Sequence, residues 1–153
     1  GNVLDFALNN PDTFLKIQNA NGDIVYTRDG AFKNLDNFLV DGNGNNILNA
    51  NNEPIVVDGD VSSQVGVVKI PYENLEKIGD NTYLPKNPNQ MEVFEKNDNL
   101  VVKGAIEKSN VNSVSAMVEL IDAHRRFEQA QKAVKTIDDL NASLIEKIGS
   151  NTK

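Results

Sequence analysis

The chain has 153 residues, which is enough for one compact domain plus an appendage. It contains 15 Lys or Arg and 22 Asp or Glu. The formal net charge of −7 argues against nucleic acid as a partner, because nucleic-acid-binding proteins present a basic face. The chain has no Cys, which excludes disulfides and thiolate chemistry, and it has no apolar run long enough to cross a membrane.

The first half of the chain alternates short apolar runs with turn signals, which is typical of antiparallel strands. Asp29-Gly30 is a strong hairpin dipeptide, so we expect the chain to reverse there and to resume in a strand. Asp41–Gly44 predicts a second tight reversal. The expected strands of this half are Asp5–Leu8, 14–17, Ile24–Thr27, Ala31–Phe32, Phe38–Val40 and Ile47–Leu48.

The second half continues the same pattern. Pro54 cannot donate to a strand ladder, so it predicts an edge strand over Ile55–Val57. The later candidates are Val65–Ile70, an ambiguous 74–78, Tyr83–Leu84, a weak 91–95 and Leu100–Ile106. The spacing of the turn signals, roughly 8–12 residues, indicates a mainly β chain with a small antiparallel sandwich or rolled-sheet core.

The last part of the chain predicts one long helix of the coiled-coil type, which we expect Gly149 to end. Steps of three and four residues pick out a seam with a period of 3.5, made of apolar or small side chains and one Asn. A helix with such a seam needs a second helix, and the rest of the chain offers none of that length. The seam residues are Ser113, Ala116, Leu120, Ala123, Phe127, Ala130, Val134, Ile137, Asn141, Leu144 and Ile148.

The first turns of this helix have a second apolar stripe, formed by Val114, Met117, Val118 and Ile121. We expect this stripe to lie on the β domain while the later turns pair with another helix. The alternative is that the whole helix lies on its own β domain, although such a helix usually shows a wider stripe with a period of 3.6. The predicted division is a β core over 1–108, the helix over 109–149 and a tail over 150–153.

Candidate chemical sites are weak. His124 is the single histidine, and we expect it to flank the helix seam rather than to act in catalysis. Asp41–Asn45 resembles the start of a calcium loop, but Asn46 and Asn52 stand where such a loop needs Gly and a bidentate Glu. Asn141-Ala142-Ser143 fits a glycosylation acceptor, yet Asn141 lies on the seam. We therefore predict no catalytic residue, no cofactor site and no metal site.

Several stretches of the sequence are similar to the bacterial flagellar axial proteins, the rod and hook subunits. The most telling stretch contains Tyr26, Thr27, Arg28, Gly30 and Phe32, and residues 110–138 are similar to the family's C-terminal motif. Three departures stand out: Asp12–Leu15 replaces a Gly-rich lead into two aromatics, His124 and Phe127 replace common Gln and Tyr, and the family's N-terminal segment is absent. We therefore interpret the sequence as a fragment that lacks that segment.

The resemblance implies a structural subunit of the basal-body rod, the periplasm-spanning drive shaft, which is exported by the flagellar secretion apparatus and builds a helical tube. It implies partners among copies of itself and neighbouring rod and hook proteins, with no enzyme activity, no cofactor, no nucleic acid, no small-molecule substrate and no membrane insertion. It leaves proximal and distal rod subunits open. The alternatives are a hook or hook-associated subunit, a non-flagellar β-domain binding module on a helical stalk, or an enzyme of unrecognised type.

Overall fold

The computed structural model describes residues 3–105 and 110–151. The described part is mainly β, with antiparallel strands followed by one long helix, which confirms the predicted fold class. The strands are β1 (Phe6–Leu8), β2 (Thr13–Gln18), β3 (Ile24–Thr27), β4 (Lys33–Leu35), β5 (Phe38–Val40), β6 (Asn46–Ile47), β7 (Val67–Lys69), β8 (Leu75–Lys77), β9 (Tyr83–Pro85), β10 (Glu92–Val93) and β11 (Val101–Lys103); the helix is α1 (Asn110–Asn151), and 3-10 turns lie at Ser62–Gln64 and Tyr72–Asn74.

Strand β2 lies at the centre of the larger sheet. Along one edge it pairs with β3, and along the other it pairs with β7 in its first half and with β6 in its second half. Ile17 is therefore a partner of both Val25 and Ile47. Successive side chains of a strand point to opposite faces of the sheet, so Phe14 and Leu15 enter different hydrophobic clusters. Both faces of β2 are thus buried, which explains why five of its six residues are buried.

The sheet around β2 has the strand order β4-β5-β6-β2-β3-β9-β8; β7 also pairs with β2, and β10 pairs with β7. A separate two-stranded sheet joins β1 to β11, and Phe6 lies opposite Lys103. An isolated bridge between Asp5 and Ala31 ties this small sheet to the segment after β3. Residues far apart in the chain therefore meet in both sheets.

The described residues form two compact units that divide between Val118 and Glu119. The first unit contains all the strands and the first turns of α1. The second unit is the rest of α1, in which every side chain of residues 123–149 is exposed. The predicted division into 1–108, 109–149 and 150–153 stays a prediction, because residues 106–109 lie outside the described part.

Two of the predicted local features are wrong. Asp29-Gly30 makes no hairpin, because β3 pairs with β2 and β9 and Ala31–Phe32 makes one bridge instead of a strand. Ile55–Val57 is not a strand either, since the chain there forms isolated bridges at Pro54 and Val56. Each segment runs beside a neighbouring one only long enough for a single bridge and its two backbone hydrogen bonds, which is too short to form a strand ladder.

Other expected elements differ in their bounds. Strand β4 was not predicted, and it forms a hairpin with β5 through a two-residue turn at Asp36 and Asn37. Residues 65–70 contribute β7 at Val67–Lys69, and residues 74–78 begin with the end of a 3-10 turn and continue as β8. The strand predicted at Leu100–Ile106 is β11, and Ile106 lies outside the described residues. Helix α1 continues through Gly149 to Asn151, so Gly149 does not end it.

Candidate assembly surface

All five motif residues are buried at the end of β3 and in the loop that follows it. Tyr26 packs in the second hydrophobic cluster with Phe14 and Tyr83, and burial raises the pKa of its phenol. The hydroxyl of Thr27 accepts a hydrogen bond of 3.0 Å from the backbone N–H of Asp29. These two side chains hold the end of β3 and the first residues of the loop. The buried motif residues are Tyr26, Thr27, Arg28, Gly30 and Phe32.

Arg28 connects this loop to the chain before β2. Its Nη1 donates hydrogen bonds to the carbonyl oxygens of Asn10 at 2.8 Å, Pro11 at 3.0 Å and Thr13 at 2.7 Å. Its guanidinium carbon lies 6.0 Å from the centre of the Phe14 ring. A planar guanidinium has several donors in a fixed arrangement, which suits it to several carbonyls at once. The carboxylate of the neighbouring Asp29 accepts a hydrogen bond from Ala31 N within the same loop, whereas Arg28 reaches a distant segment.

Gly30 and Phe32 attach the same loop to β1. The carbonyl of Gly30 accepts a hydrogen bond of 2.9 Å from the backbone N–H of Phe6. A Cβ at Gly30 would lie 1.7 Å from the carbonyl oxygen of Phe6, so no side chain fits there. The rings of Phe6 and Phe32 pack with their centres 5.9 Å apart. The motif residues therefore organise the β domain, and they form no exposed site.

The exposed apolar residues of the second unit lie along α1. The small or polar seam residues of this unit are also exposed, namely Ala123, Ala130 and Asn141. Large apolar side chains on a solvent-facing helix surface are typical of a protein–protein contact. The large seam residues with their exposed fractions are Leu120 64%, Phe127 61%, Val134 58%, Ile137 57%, Leu144 57% and Ile148 54%.

Two exposed apolar residues next to the seam were missed. Leu140 is 64% exposed and Ile145 is 70% exposed, one on each side of the seam in the last turns of α1. They precede Asn141 and follow Leu144 directly, so the same heptad count places them on the seam's two flanks. The apolar face is therefore wider near the C-terminal end than the seam alone. We call the seam from Leu120 to Ile148 together with Leu140 and Ile145 the α1 face.

The stripe expected to lie on the β domain is partly confirmed. Val114 and Val118 are 3% and 2% exposed and belong to the second hydrophobic cluster. Met117 is 41% exposed, and Ile121 is half-buried. His124, beside the seam, lies 2.9 Å from a carboxylate oxygen of Glu128 one turn later, and both side chains are largely exposed.

The calcium-like sequence forms a turn. The carboxylate of Asp41 accepts hydrogen bonds of 2.9 Å from the backbone N–H groups of Asn43 and Asn45. Within residues 3–105 and 110–151, no group of three or more acidic or His side chains is placed to hold a metal ion. In the same ranges no helix combines the length and the apolar content that a bilayer crossing requires, α1 included.

Comparison with known proteins covers both units. The family described as flagellar hook protein FlgE/F/G D1 domain matches residues 10–75, which include the motif at Tyr26–Phe32. The family described as flagellar basal body rod FlgEFG protein C-terminal matches residues 102–146, which include most of the α1 face. The flagellar basal-body rod protein FlgF of Caulobacter vibrioides is 31% identical over 97% of this chain and 67% of its own length. The chain belongs to the flagellar basal-body rod protein family.

Other rod proteins are similar over comparable lengths. FlgG of Agrobacterium fabrum is 30% identical over 96% of this chain and 65% of its own length. FlgG of Bacillus subtilis is 30% identical over 95% of this chain and 65% of its own length. The chain spans about two thirds of the length of the curated relatives it matches, from 62% to 67% for the first three. The resemblance seen in the sequence is thus confirmed. Coiled-coil pairing of α1 and the role of each face residue stay predictions.

Proposed function

We propose that this chain is a structural subunit of the basal-body rod and that the α1 face is its contact with helices of neighbouring subunits. The observation that carries the proposal is the row of large apolar side chains, each more than half exposed, within the part of the chain that matches the rod C-terminal family. Leaving so much apolar surface in water is unfavourable, so burial against other helices would stabilise the assembled state.

Membership of the rod family supports copies of this chain and other rod or hook proteins as the partners. Contacts that repeat head to tail without closing a ring produce an open helical polymer, which is the geometry that a rod needs. The seam includes small Ala123 and Ala130, which allow close approach of another helix, and polar Asn141, which favours one register over others. In this proposal the chain is exported by the flagellar secretion apparatus, acts in the basal body and transmits torque without catalysing a reaction.

A seam variant with a matched control tests the proposal. Val134→Glu places a carboxylate on the α1 face, and Gln129→Glu places the same carboxylate on the same helix away from the seam. We introduce each change into the full-length gene and express it in a strain from which that gene is deleted. We expect Gln129→Glu to restore swimming and rods visible by electron microscopy, and Val134→Glu to restore neither, because a buried unpaired charge opposes helix pairing.

Secreted and cellular amounts of both variants must match for the comparison to report on assembly. If Val134→Glu is exported normally and still builds rods as the unchanged gene does, the α1 face is not the contact. Loss of rods with both variants would also count against the seam, because it would show no preference for that face of the helix.

A further inference from the structure

The first turns of α1 close the second hydrophobic cluster of the β domain. This cluster contains Phe14 of β2, Leu75 of β8 and Tyr83 of β9. Val114 and Val118 of α1 pack in the same cluster. Both valines are almost fully buried, and they are four residues apart, which places them on one side of the helix. The β domain and residues 114–118 therefore share one core.

A directed polar contact accompanies this packing. The Tyr83 hydroxyl lies 2.7 Å from the Ser115 hydroxyl, close enough for a hydrogen bond in either direction. The Tyr83 ring is itself 1% exposed and packs 5.8 Å from the Phe14 ring, measured between centres, so the hydroxyl is held in place. We call Val114, Ser115 and Val118 the helix anchor. Its position is fixed by apolar contacts and by a hydrogen bond.

The remainder of α1 has no comparable support, since every side chain of residues 123–149 is exposed. The least favourable step in forming a helix in water is the first turn, because several residues become fixed for a single hydrogen bond. The equilibrium factor for this nucleation step is on the order of 10⁻³. Each later residue then adds one hydrogen bond for one fixed residue. A preformed first turn therefore removes the least favourable step.

We infer that the helix anchor is the nucleus from which the rest of α1 folds. Helical order then extends from Val118 towards the C-terminus and decreases with distance from the anchor. Partner helices therefore stabilise the later turns of a helix that the anchor has already nucleated, and they do not have to nucleate it themselves. The inference rests on contacts within the first unit and does not depend on the proposed role in the rod.

Hydrogen exchange followed by mass spectrometry tests this inference on the whole chain. Val118→Asn removes an anchor residue, and Val134→Asn makes the same replacement at an exposed position of the same helix. We expect Val118→Asn to accelerate exchange of amides throughout 119–149 by roughly tenfold or more. Val134→Asn carries the same change in helix propensity, so its effect is expected to stay within the neighbouring turns.

Val118→Asn could also disturb the β domain, and faster exchange of the β2 amides would reveal this. A milder variant separates the two effects. Tyr83→Phe removes the hydroxyl and keeps the ring, so the cluster stays filled. We expect it to accelerate exchange in 119–149 by roughly fivefold, in line with one lost hydrogen bond, while β2 amides stay protected.

Three results would overturn the inference. One is equal exchange rates for amides 114–118 and 140–149 in the unchanged chain. Another is an equal effect of Val118→Asn and Val134→Asn across 119–149. The third is unchanged exchange in 119–149 for Tyr83→Phe with β2 still protected.

Discussion

At the scale of single residues, Gly30 shows how a motif glycine can be required by a distant segment. It is buried, and an added Cβ would lie 1.7 Å from the backbone oxygen of Phe6, which cannot move without breaking the β1 contacts. Gly42 is the matched control, because it lies in an exposed turn and an added Cβ would meet nothing within 4 Å. Both glycines precede or follow an Asp or Asn in turn-like sequence, yet their surroundings differ.

The first prediction follows from this difference. We expect Gly30→Ala to lower the free energy of unfolding by about 2 kcal/mol or more, because the overpacked contact is with backbone. Gly42→Ala should change it by less than about 0.5 kcal/mol. Urea denaturation followed by circular dichroism measures both. Equal stability of the two variants would show that the loop behind β3 does not press on β1 as described.

Lys16 is the second residue with an unusual environment. It lies on central strand β2 and is 2% exposed, and its Nζ donates to the carbonyl of Ala50 at 3.1 Å and to the side-chain oxygen of Asn52 at 2.8 Å. Burial lowers the pKa of this amine from 10.5. A neutral amine retains two N–H groups, which is enough for the two acceptors.

The second prediction is a pH dependence with a definite sign. Because the folded pKa of Lys16 is lowered, the unfolded chain binds more protons in the window just below pH 10.5, and stability rises with pH there. We expect the unfolding free energy of the unchanged chain to increase relative to that of Lys16→Met as the pH rises towards 10.5. Tyr26, whose pKa is raised and whose contribution has the opposite sign, is present in both proteins, so its contribution cancels in the comparison. A difference between the two proteins that stays constant, or shrinks, as the pH approaches 10.5 would contradict the assignment.

At the scale of elements, the β4–β5 hairpin carries strain that its sequence does not relieve. Asp36 and Asn37 form the two-residue turn with φ values of 51° and 70°, the conformation of a type I′ turn. Such turns favour glycine at the second position, because only glycine adopts positive φ freely. The side chain of Asn34 accepts a hydrogen bond of 2.9 Å from Asn37 N, which holds the turn in place.

The third prediction is a stabilising substitution. We expect Asn37→Gly to raise the unfolding free energy by up to about 1 kcal/mol, because it relieves the positive φ and keeps the backbone N–H that Asn34 binds. Asn43→Gly, in another exposed turn but at a residue without positive φ, should lower it slightly through the added freedom of the unfolded chain. Thermal unfolding monitored by circular dichroism compares the two, and a lower melting temperature for Asn37→Gly would refute the turn assignment.

The elements also show what local sequence reasoning can predict. Runs such as Ile24–Thr27 and Phe38–Val40 were predicted with their bounds, because β-branched and aromatic residues between turn residues are a local signal. Asp29-Gly30 was misinterpreted because its glycine is required by Phe6, a contact that no short window contains. The heptad count picked out the seam residues of the α1 face but missed Leu140 and Ile145 beside them. The end of α1 was also placed wrongly, since one glycine costs a long helix only about 1 kcal/mol.

At the scale of the whole molecule, the charge is unevenly divided. Residues 1–118 contain 9 Lys or Arg and 16 Asp or Glu, a net charge of −7, while residues 119–153 contain 6 of each and are neutral. Copies of the β domain therefore repel one another, and the α1 face is left to supply attraction. A single seam offers limited attraction without neighbours that hold both helices in place.

The fourth prediction is that the isolated chain is monomeric. Repulsion between the acidic domains and the lack of supporting neighbours both oppose pairing through the α1 face. Sedimentation velocity at low salt should give a single monomeric species, and added salt should favour association by screening the repulsion. A tight, discrete oligomer at low salt would contradict this balance of forces.

The central claim is that the α1 face becomes buried when the rod assembles, and labelling of a single thiol tests it most directly. The chain has no Cys, so Ala130→Cys introduces one thiol on the seam at an exposed position. We would label this variant as an isolated chain, in assembled rods, and in the same rods after denaturation. We predict fast labelling of the isolated chain, protection in the assembled rods and recovery after denaturation. Labelling as fast in the assembled rods as in the isolated chain would contradict the claim.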